Sequence, residues 1–418
     1  MSLAHQPSLA ALAASPRAFG RLPELAGAPA AFRFAARLMA RNWLTGSLTF
    51  VVPSGGELRL EGAEPGIDAR IIVRDFRFMR RVLAAGDIGF AEGYMAGEWE
   101  TPDLAAVLSA VSLNFDRVAR VFQGNRLLRA AHFVGHALNS NTRKGSRKNI
   151  HAHYDLGNAF YSRWLDPTMT YSSARYQKPG QALEQAQANK YRELARSMDL
   201  QAGHHVLEIG CGWGGFAEFA AKEVGAKVTG ITISTEQYEF ARRRMFEQGL
   251  TDRAEIRMVD YRDVEGVFDR VASIEMFEAV GERYWPAYFG KIRDVLTPGG
   301  RAGLQIITIK DEFFEGYRRR ADFIQKYIFP GGMLPSEEQL RRQTDRAGLS
   351  WTGLDRFGQD YADTLAAWCE RFDSAWVDIS RLGFDERFRK LWRFYLAYCE
   401  AGFRTDRTNV VQLGLVKA

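Results

Sequence analysis

Cysteine is scarce in this sequence, with three residues among 418, at Cys211, Cys369 and Cys399. An odd and sparse count excludes a disulfide-bonded scaffold and favours a reducing compartment. Neither a C-x-x-C nor an H-E-x-x-H spacing occurs, so no metal site is predicted. Uninterrupted apolar runs of about 18 residues are also missing, which predicts that no helix spans a membrane.

The remaining composition is that of an ordinary globular protein, 46% hydrophobic and 25% charged. A length of 418 residues suits two or three domains. The formal net charge of +6 favours an anionic partner, either nucleic acid or an acidic lipid surface. Single basic clusters, such as the three arginines at 318–320, also fit plain solvated helix faces.

Three segments precede the main part of the chain. Residues 1–35 are interrupted by prolines and charges, which predicts a poorly ordered lead-in rather than a signal peptide. Residues 36–137 mix strand-like and amphipathic helix-like stretches, which predicts a small α+β domain. Residues 138–150 are polar, basic and poor in apolar residues, as is typical of a linker. Residues 151–418 are predicted to form the main domain.

Within the main domain, from about residue 185 onward, strand-like runs alternate with helical stretches. This alternation predicts an α/β fold with a doubly wound, largely parallel sheet. The alternation ends after a strand-like run at 301–309, and residues from about 311 to 390 are predicted to be helical and rich in aromatic residues. Their apolar spacing fits a packed core, and it also fits the wall of an apolar substrate channel.

The most informative stretch is VLEIGCGWGGFA at residues 206–217, where an apolar strand meets closely spaced glycines. Glycine lets the chain turn sharply off a strand and lets a ligand approach the backbone. The N–H groups of the following helix then face whatever lies above the turn. The pattern predicts a nucleoside-type cofactor at this turn, where doubly wound folds bind their ligands.

Two features distinguish between cofactors at the turn. Gly210, Gly212 and Gly215 satisfy G-x-G-x-x-G, which is a weak signal for NAD when taken alone. However, the next strand ends without the acid that holds the ribose of NAD. Glu208 lies two residues before Gly210, where it can meet a positively charged group such as the ammonium of S-adenosylmethionine. The sequence therefore favours S-adenosylmethionine over NAD, and over a glycine turn that binds nothing.

Nine motifs follow one another in an order that points to a family. They are HYDLGN at 153–158, LDP at 165–167, TYSS at 170–173, the glycine turn, GITIS at 230–234, DYRDV at 260–264, EMFEAVG at 275–281, KYIFPGG at 326–332 and FGQDYADTLAAW at 357–368. From about residue 150 to the C-terminus, the chain resembles the cyclopropane-fatty-acyl-phospholipid synthases and their mycolic acid relatives. The small N-terminal domain resembles that of the bacterial phospholipid enzymes.

The resemblance implies a class I methyltransferase, with a Rossmann-like sheet and a helical lipid-binding insertion at about 311–390. It implies that residues 151–418 form the catalytic domain of a cytoplasmic enzyme that docks on the anionic inner face of the membrane. There the methyl group of S-adenosylmethionine is transferred to the cis double bond of an unsaturated phospholipid acyl chain. A cyclopropane ring then closes through a carbocation.

Other outcomes stay open at this point. Loss of a different proton gives a methyl- or methylene-branched chain, for example a furan fatty acid precursor. A non-catalytic lipid-binding protein that keeps S-adenosylmethionine as a structural ligand is the second alternative, and a homodimer is also left open. A nucleic-acid methyltransferase is not favoured, because the sequence lacks an Asn-Pro-Pro-Tyr-type base-flipping motif.

In the family, the base that removes the proton is a bicarbonate ion held by a small set of side chains. The resemblance assigns Glu278, Tyr361, Ser173 and Gln305 to this set. Ser173 replaces a cysteine of the family, and Gln305 replaces a histidine but can still donate a hydrogen bond. Ala279 replaces a second histidine. The anion site is therefore predicted to be retained in altered form.

Glu275 lies three residues before Glu278, where better-known members of the family have glycine. If the segment is helical, the two carboxylates share a face, and their repulsion raises one pKa so that one of them serves as the proton acceptor. The other interpretation places Glu275 at the surface or behind the site.

Aromatic ring faces stabilise cations, and Tyr171, Phe277 and Tyr361 are candidates for this role beside the carbocation. Cys399 matches a cysteine long marked as the family's active-site thiol, although its spacing on a helix also fits a packing role. The resemblance also assigns the cofactor contacts, with the ring of Tyr261 bordering the adenine. These contacts are Tyr171, Ser172, Leu207, Glu208, Gly210, Cys211, Gly212, Trp213, Gly214, Gly215, Thr232, Ser234, Gln237, Tyr261 and Arg262.

Overall fold

The computed structural model describes residues 27–122 and 156–418, which fall into two units of the chain, each considered by itself. The predicted basic linker at 138–150 lies outside the described residues. The prediction that residues 1–35 form a poorly ordered lead-in is wrong for residues 30–35, because a helix begins at Ala30.

The N-terminal unit has the α+β character expected from its sequence. Within residues 27–122, four strands form a sheet in the order β2-β1-β3-β4, in which β1 and β3 are parallel and the other pairs antiparallel. The strands are β1 (Thr45–Val51), β2 (Glu57–Glu61), β3 (Glu64–Val73) and β4 (Trp99–Glu100). The helices are α1 (Ala30–Asn42), α2 (Arg77–Ala85), α3 (Asp87–Met95) and α4 (Leu104–Phe122).

Aromatic packing explains why the chain is helical from Ala30. The ring of Phe32 lies 5.6 Å from that of Phe50 on β1 and 6.3 Å from that of Phe78 on α2, both in edge-on contacts. Phe32 and Met39 are buried on one face of α1, two helical turns apart. The sequence pattern alone did not reveal this face, because proline-rich residues precede it.

The second unit contains the doubly wound sheet that the sequence predicts. Within residues 156–418, seven strands take the order β10-β11-β9-β8-β5-β6-β7. Five of these strands, β9, β8, β5, β6 and β7, run parallel to one another. Strand β11 runs antiparallel to both of its neighbours, β10 and β9. The strands are β5 (His205–Ile209), β6 (Lys227–Thr232), β7 (Ala254–Met258), β8 (Phe268–Ile274), β9 (Leu296–Ile309), β10 (Leu349–Arg356) and β11 (Thr408–Lys417).

Helices flank this sheet and fill the region after β9. The first of them come from the predicted alternation, and the last ones from the predicted insertion. They are α5 (Asn158–Tyr161), α6 (Leu183–Ser197), α7 (Gly215–Phe219), α8 (Thr235–Glu247), α9 (Trp285–Val295), α10 (Asp311–Tyr317), α11 (Phe323–Tyr327), α12 (Glu337–Ala347), α13 (Gly358–Ser374), α14 (Trp376–Arg381) and α15 (Glu386–Arg404).

The prediction that residues 311–390 are helical throughout is wrong, because strand β10 (Leu349–Arg356) lies within this range. This strand pairs with β11, from Leu349 opposite Lys417 to Arg356 opposite Val411. It forms the edge of the sheet and most of its residues are exposed or half-buried, so it lacks the continuous apolar run that marks the inner strands. Helices α13 and α15 then pack against each other, α15 leading into β11.

Among residues 27–122 and 156–418, none of the helices combines the length and the apolar character needed to cross a bilayer. The same part of the chain holds no group of three or more His, Cys, Asp or Glu side chains placed to bind a metal ion.

Candidate active site

The glycine turn follows β5 at the carboxyl edge of the parallel strands. Gly210, Gly212 and Gly214 have φ angles of 80°, 53° and 85°, the left-handed region that favours glycine. A Cβ at Gly210 would lie 2.6 Å from Cγ of Met276, whereas a Cβ at Gly212 would meet no atom within 4 Å. The turn is therefore closed on the side of Met276 and open at Gly212, where a ligand can approach the backbone.

Glu208 lies below this turn and is 2% exposed. Its Oε2 is buried and has no hydrogen-bond partner among the described residues. Burial raises the pKa of Glu208 to about 8, and the charges of Lys190 and Arg244 oppose that rise. A buried carboxyl group with one unpaired oxygen suits a cationic ligand, as the sequence predicts. The charge of Lys190 in this chain also interacts with the same carboxyl group.

Polar side chains extend the site along the ends of the next two strands. At the end of β6, the Thr232 hydroxyl donates to Oε1 of Gln237 (2.9 Å), and the N–H of Ser234 donates to the Thr232 hydroxyl (3.1 Å). After β7, Arg262 forms an ion pair with Asp260 at 2.6 Å. These groups surround the turn and offer donors and acceptors suited to ribose hydroxyls.

Three of the predicted cofactor residues contribute packing through their side chains instead. Leu207 is fully buried in the core, and the pKa of the buried Cys211 thiol is raised by burial. The indole N–H of Trp213 donates to Oδ1 of Asn158 (2.6 Å), and its ring lies 5.1 Å from that of Tyr161. At these positions the side chains therefore serve packing, and their contact with a cofactor stays a prediction.

The residues of the turn thus fit S-adenosylmethionine: an open backbone at Gly212, a buried carboxyl group below it and hydroxyl-binding groups beside it.

We expect Gly212→Ala to raise the Kd of S-adenosylmethionine roughly tenfold to a hundredfold, because its Cβ enters the ligand space. Gly249→Ala is the matched control, since Gly249 also has a positive φ (66°) and open surroundings but follows α8. Calorimetry should show both variants destabilised by about 1 kcal/mol, and only Gly212→Ala impaired in binding. Equal affinity in the two variants would contradict this placement.

The segment 171–173 connects the cofactor region with the predicted anion site. Lys190 donates to the Ser172 hydroxyl (2.6 Å), and Nε2 of Gln187 donates to the Ser172 carbonyl (2.9 Å). The hydroxyl groups of Tyr171 and Tyr395 share a hydrogen bond of 2.7 Å. Both polar groups of Ser172 that face α6 are therefore engaged, and its contact with the cofactor stays a prediction.

The predicted bicarbonate ligands converge on a carboxylate of the chain itself. Oε1 of Glu275 accepts hydrogen bonds from the N–H of Ser173 (2.8 Å) and from Nε2 of Gln305 (2.8 Å). Oε2 of Glu275 accepts one from the hydroxyl of Tyr361 (2.5 Å). The interpretation of Glu275 as a surface residue is therefore wrong, because three donors enclose its carboxylate.

The backbone that carries Glu275 differs from the expected helix. Glu275 follows the last residue of β8, has a φ of 49°, and donates its N–H to the Gln305 carbonyl (2.8 Å). A short 3₁₀ helix begins only at Phe277 and ends at Ala279. The shared helical face of Glu275 and Glu278 is a wrong prediction, because the chain makes a left-handed turn at Glu275.

Glu278 nevertheless lies close enough for the two charges to interact. One of its oxygens accepts from the N–H of Ile307 (2.5 Å), and Oε2 is buried without a partner in the described part of the chain. Burial and then the Glu275 charge raise the pKa of Glu278 to about 8. Burial also raises the pKa of Glu275, but three hydrogen bonds and the Lys190 charge oppose the rise. With a pKa of about 8, Glu278 is mostly protonated at pH 7.

Phe277 and Cys399 do not fit the roles expected of them. Phe277 is 1% exposed, and its ring lies 5.4 Å from Trp285 and 5.0 Å from Tyr288 within the core. Burial raises the pKa of the Cys399 thiol far above its usual range, and Asp322 adds to the effect. A thiol that stays protonated is a poor nucleophile, so packing is the role that its surroundings support.

Sequence reasoning missed three residues that support the site. Gln187 and Lys190 lie on the buried face of α6, and Gln412 lies on β11; all three are buried. Nε2 of Gln412 donates to Oε1 of Gln305 (3.1 Å), which leaves Nε2 of Gln305 for Glu275. The detectable signal was the presence of two long polar side chains on the apolar face of an amphipathic helix.

A doubly wound sheet with an open glycine turn and polar groups at three strand ends defines an S-adenosylmethionine-dependent methyltransferase of class I. A family model described as mycolic acid cyclopropane synthetase matches residues 141–413. The chain belongs to this family.

Relatives place the chain among enzymes that modify lipids. The tuberculostearic acid methyltransferase UfaA1 of Mycobacterium tuberculosis (strain ATCC 25618 / H37Rv) is 37% identical over 415 residues, 96% of this chain and 95% of that protein. The cyclopropane-fatty-acyl-phospholipid synthase of Escherichia coli (strain K12) is 37% identical over 363 residues, 85% and 89% of the two chains. The crystal structure of mycolic acid cyclopropane synthase CmaA1 complexed with SAH and CTAB has a TM-score of 0.61 at 27% identity, over 65% of this chain and 98% of that one.

Proposed function

We propose that this methyltransferase acts on the cis double bond of an unsaturated phospholipid acyl chain and that Glu275 is the base that completes the reaction. The observation that carries the proposal is the Glu275 carboxylate, which accepts hydrogen bonds from Ser173, Gln305 and Tyr361. The family resemblance assigns these three residues to bicarbonate. The proposal gives Glu275 the position and the task of that ion.

When bound, S-adenosylmethionine supplies the methyl group from its sulfonium, and the electron pair of the broken C–S bond stays on sulfur. The π electrons of the acyl chain form the new C–C bond and leave a positive charge on the second alkene carbon. A C–H bond of the new methyl group then breaks, and its electron pair closes a cyclopropane ring. The proton passes to Oε2 of Glu275, which accepts from Tyr361 and retains a further lone pair.

The protonation states favour Glu275 over Glu278 as the base. Glu278, with a pKa of about 8, is mostly neutral at pH 7 and cannot accept a proton on its carboxyl group. Glu275 has three donors directed at its carboxylate, and each favours the charged form. Two enclosed carboxyl groups with different environments commonly divide acid and base roles in this way.

Aromatic rings beside the base support the cationic step. The ring of Tyr171 lies 5.3 Å from that of Trp368, and Tyr361 packs edge-on against Trp368 at 6.1 Å. Trp368 and Tyr361 come from α13, in the region predicted as the helical insertion. We assign carbocation stabilisation to the ring of Tyr171 and to the face of Tyr361 opposite the one that is stacked on Phe403 (4.5 Å).

A second candidate function has the same donor and substrate but a different product. Loss of a proton from a chain carbon gives a methyl-branched alkene, and a hydride shift before proton loss gives a methylene branch. The observation that favours this candidate is the replacement of a small ion by a carboxylate fixed to the backbone at Glu275. A tethered base reaches only the C–H bonds that face it, so its position selects the product.

The N-terminal unit offers a surface for docking on anionic lipid. Phe34 on α1 is 65% exposed, and Arg37 and Arg41 are exposed or half-buried on the same helix. An exposed aromatic ring followed by arginines on the same helix suits the headgroup region of an acidic bilayer. We propose that the protein binds the inner face of the membrane through this helix. Vesicle binding that weakens as salt rises is expected, and binding indifferent to salt would contradict the electrostatic part.

One experiment tests the reaction and separates the alternatives. Purified protein is incubated with S-adenosylmethionine and vesicles of an unsaturated anionic phospholipid, and the release of S-adenosylhomocysteine is measured. Proton NMR of the lipid should show the high-field signals of a cyclopropane ring. Vinyl or methylene signals in their place would support the branched product. Binding of S-adenosylmethionine without release of S-adenosylhomocysteine would overturn the enzymatic proposal in favour of a lipid-binding protein.

A further inference from the structure

A buried lysine interacts electrostatically with the proposed base, and the chemistry described above does not use it. Lys190 is fully buried on α6. Its ammonium donates to the Ser172 hydroxyl (2.6 Å) and lies 4.6 Å from the centre of the Tyr191 ring. A lysine is seldom fully buried unless its charge is compensated, because moving an ammonium group out of water is energetically unfavourable.

Carboxyl groups from three elements supply that compensation. The negative charges of Glu275, Glu208 and Asp166 favour the charged form of Lys190, whereas burial lowers its pKa to about 7. Lys190 in turn lowers the pKa of Glu275 and that of Glu208. One cation thus interacts electrostatically with both the carboxyl group below the cofactor turn and the carboxylate proposed as the base.

Hydrogen bonds connect the same helical turn to the base through a second route. The carbonyl of Lys190 accepts from Nε2 of Gln412 (3.0 Å), which also donates to Oε1 of Gln305 (3.1 Å). Nε2 of Gln305 then donates to Glu275 (2.8 Å). Helix α6 therefore supports Glu275 in two ways. The Lys190 charge favours its ionised form, and the Lys190 carbonyl helps to orient, through Gln412, the Gln305 amide that donates to Glu275.

We propose that Lys190 is a positioning residue whose buried ammonium keeps the Glu275 carboxylate ionised, so that it can accept a proton in an enclosed site. This inference rests on the proposed function of Glu275 as the base. The same ammonium holds the Ser172 hydroxyl, which fixes the segment that donates the Ser173 N–H to Glu275. Loss of the charge therefore affects the base beyond the loss of one hydrogen bond.

The sign of the pH effect follows from the groups that face Glu275. Tyr361 from α13, Gln305 from β9, the N–H of Ser173 and the Lys190 charge favour its ionised form, whereas burial and Glu278 oppose ionisation. The base is active above its pKa, so turnover rises with pH through an acidic limb. Removal of the Lys190 charge raises the pKa of Glu275 and moves this limb to higher pH.

The test compares the pH profiles of kcat in Lys190→Met, Lys190→Gln and the wild type. Methionine and glutamine are both neutral, and glutamine can still donate a hydrogen bond to Ser172. We expect both variants to move the acidic limb upward by about one pH unit, with a loss of up to about tenfold at pH values on the limb, which shrinks as the pH rises above it. Lys190 itself loses its charge above a pKa of about 7, so the curves converge at high pH.

Gln187→Leu is the matched control, because it removes a neutral hydrogen bond to the same serine from the same helix face. We expect it to lower kcat by a similar factor at every pH, without moving the limb. The inference is overturned if Lys190→Gln has the wild-type profile, or if Gln187→Leu moves the limb as far as Lys190→Met. Melting temperatures and binding of S-adenosylmethionine confirm that each variant is folded. The proposed function itself fails separately if the wild type methylates no lipid at any pH.

Discussion

Replacing Glu275 by glutamine lowers the rate at which the cyclopropane lipid is formed by about 10²–10⁴-fold, the usual contribution of a general base. Glutamine has the same shape but cannot take up the proton from the carbocation. Because Glu275 lies beyond the glycine turn, among Ser173, Gln305 and Tyr361, the Kd of S-adenosylmethionine should stay unchanged. Single-turnover formation of the cyclopropane lipid, together with calorimetric binding, measures the two quantities separately.

Glu278→Gln is the control for this substitution, since it makes the same chemical change three residues away. The pKa of Glu278 is about 8, so at pH 7 the side chain is already mostly neutral. We expect its loss of rate to be at least about tenfold smaller than that of Glu275→Gln. The assignment of the base is reversed if Glu278→Gln is the more damaging of the two.

Replacing Phe277 by alanine lowers the free energy of unfolding by about 3–5 kcal/mol, as expected for a large ring removed from a packed core. Phe277 is 1% exposed and contacts the rings of Trp285, Tyr288 and Phe289, at centroid distances of 5.4, 5.0 and 5.2 Å. Such neighbours leave its face unavailable to a carbocation. Chemical denaturation monitored by circular dichroism gives the free energy.

Phe277→Leu separates packing from catalysis, because leucine fills much of the space without a π face. We expect a smaller destabilisation, of about 1–2 kcal/mol, and nearly unchanged turnover per folded molecule. Tyr361→Leu makes the comparison at the other aromatic candidate and should lose both the ring and the hydrogen bond to Glu275. A large loss of turnover in Phe277→Leu without loss of stability would restore its catalytic role.

The sequence was sufficient for the parts of the molecule that depend on pattern. Alternating helices and strands predicted the doubly wound sheet, and the spacing of the glycines located the cofactor turn after β5. The order of motifs assigned Ser173, Gln305 and Tyr361 to one anion site, and these residues do converge. These inferences succeed because each depends on local spacing or on the fixed edge at which parallel strands end.

The parts that the sequence left undetermined depend on tertiary structure. A positive φ at Glu275 is rare for a residue with a side chain, so spacing alone suggested a helix that the chain does not form. Strand β10 lies at the edge of the sheet and carries few buried residues, which hides it from a search for apolar runs. Lys190 has the usual appearance of a solvated helix residue until the packing of α6 shows that it is fully buried.

The central claim is that Glu275 replaces the bicarbonate ion of the family, and Glu275→Gly tests it most directly. Glycine suits the φ of 49° and opens the space among the three donors. Turnover is measured in bicarbonate-free buffer and again with bicarbonate added. The wild type should have the same rate in both, and Glu275→Gly should be inactive without the ion and partly restored by it. A wild-type rate that falls when bicarbonate is removed would contradict the claim.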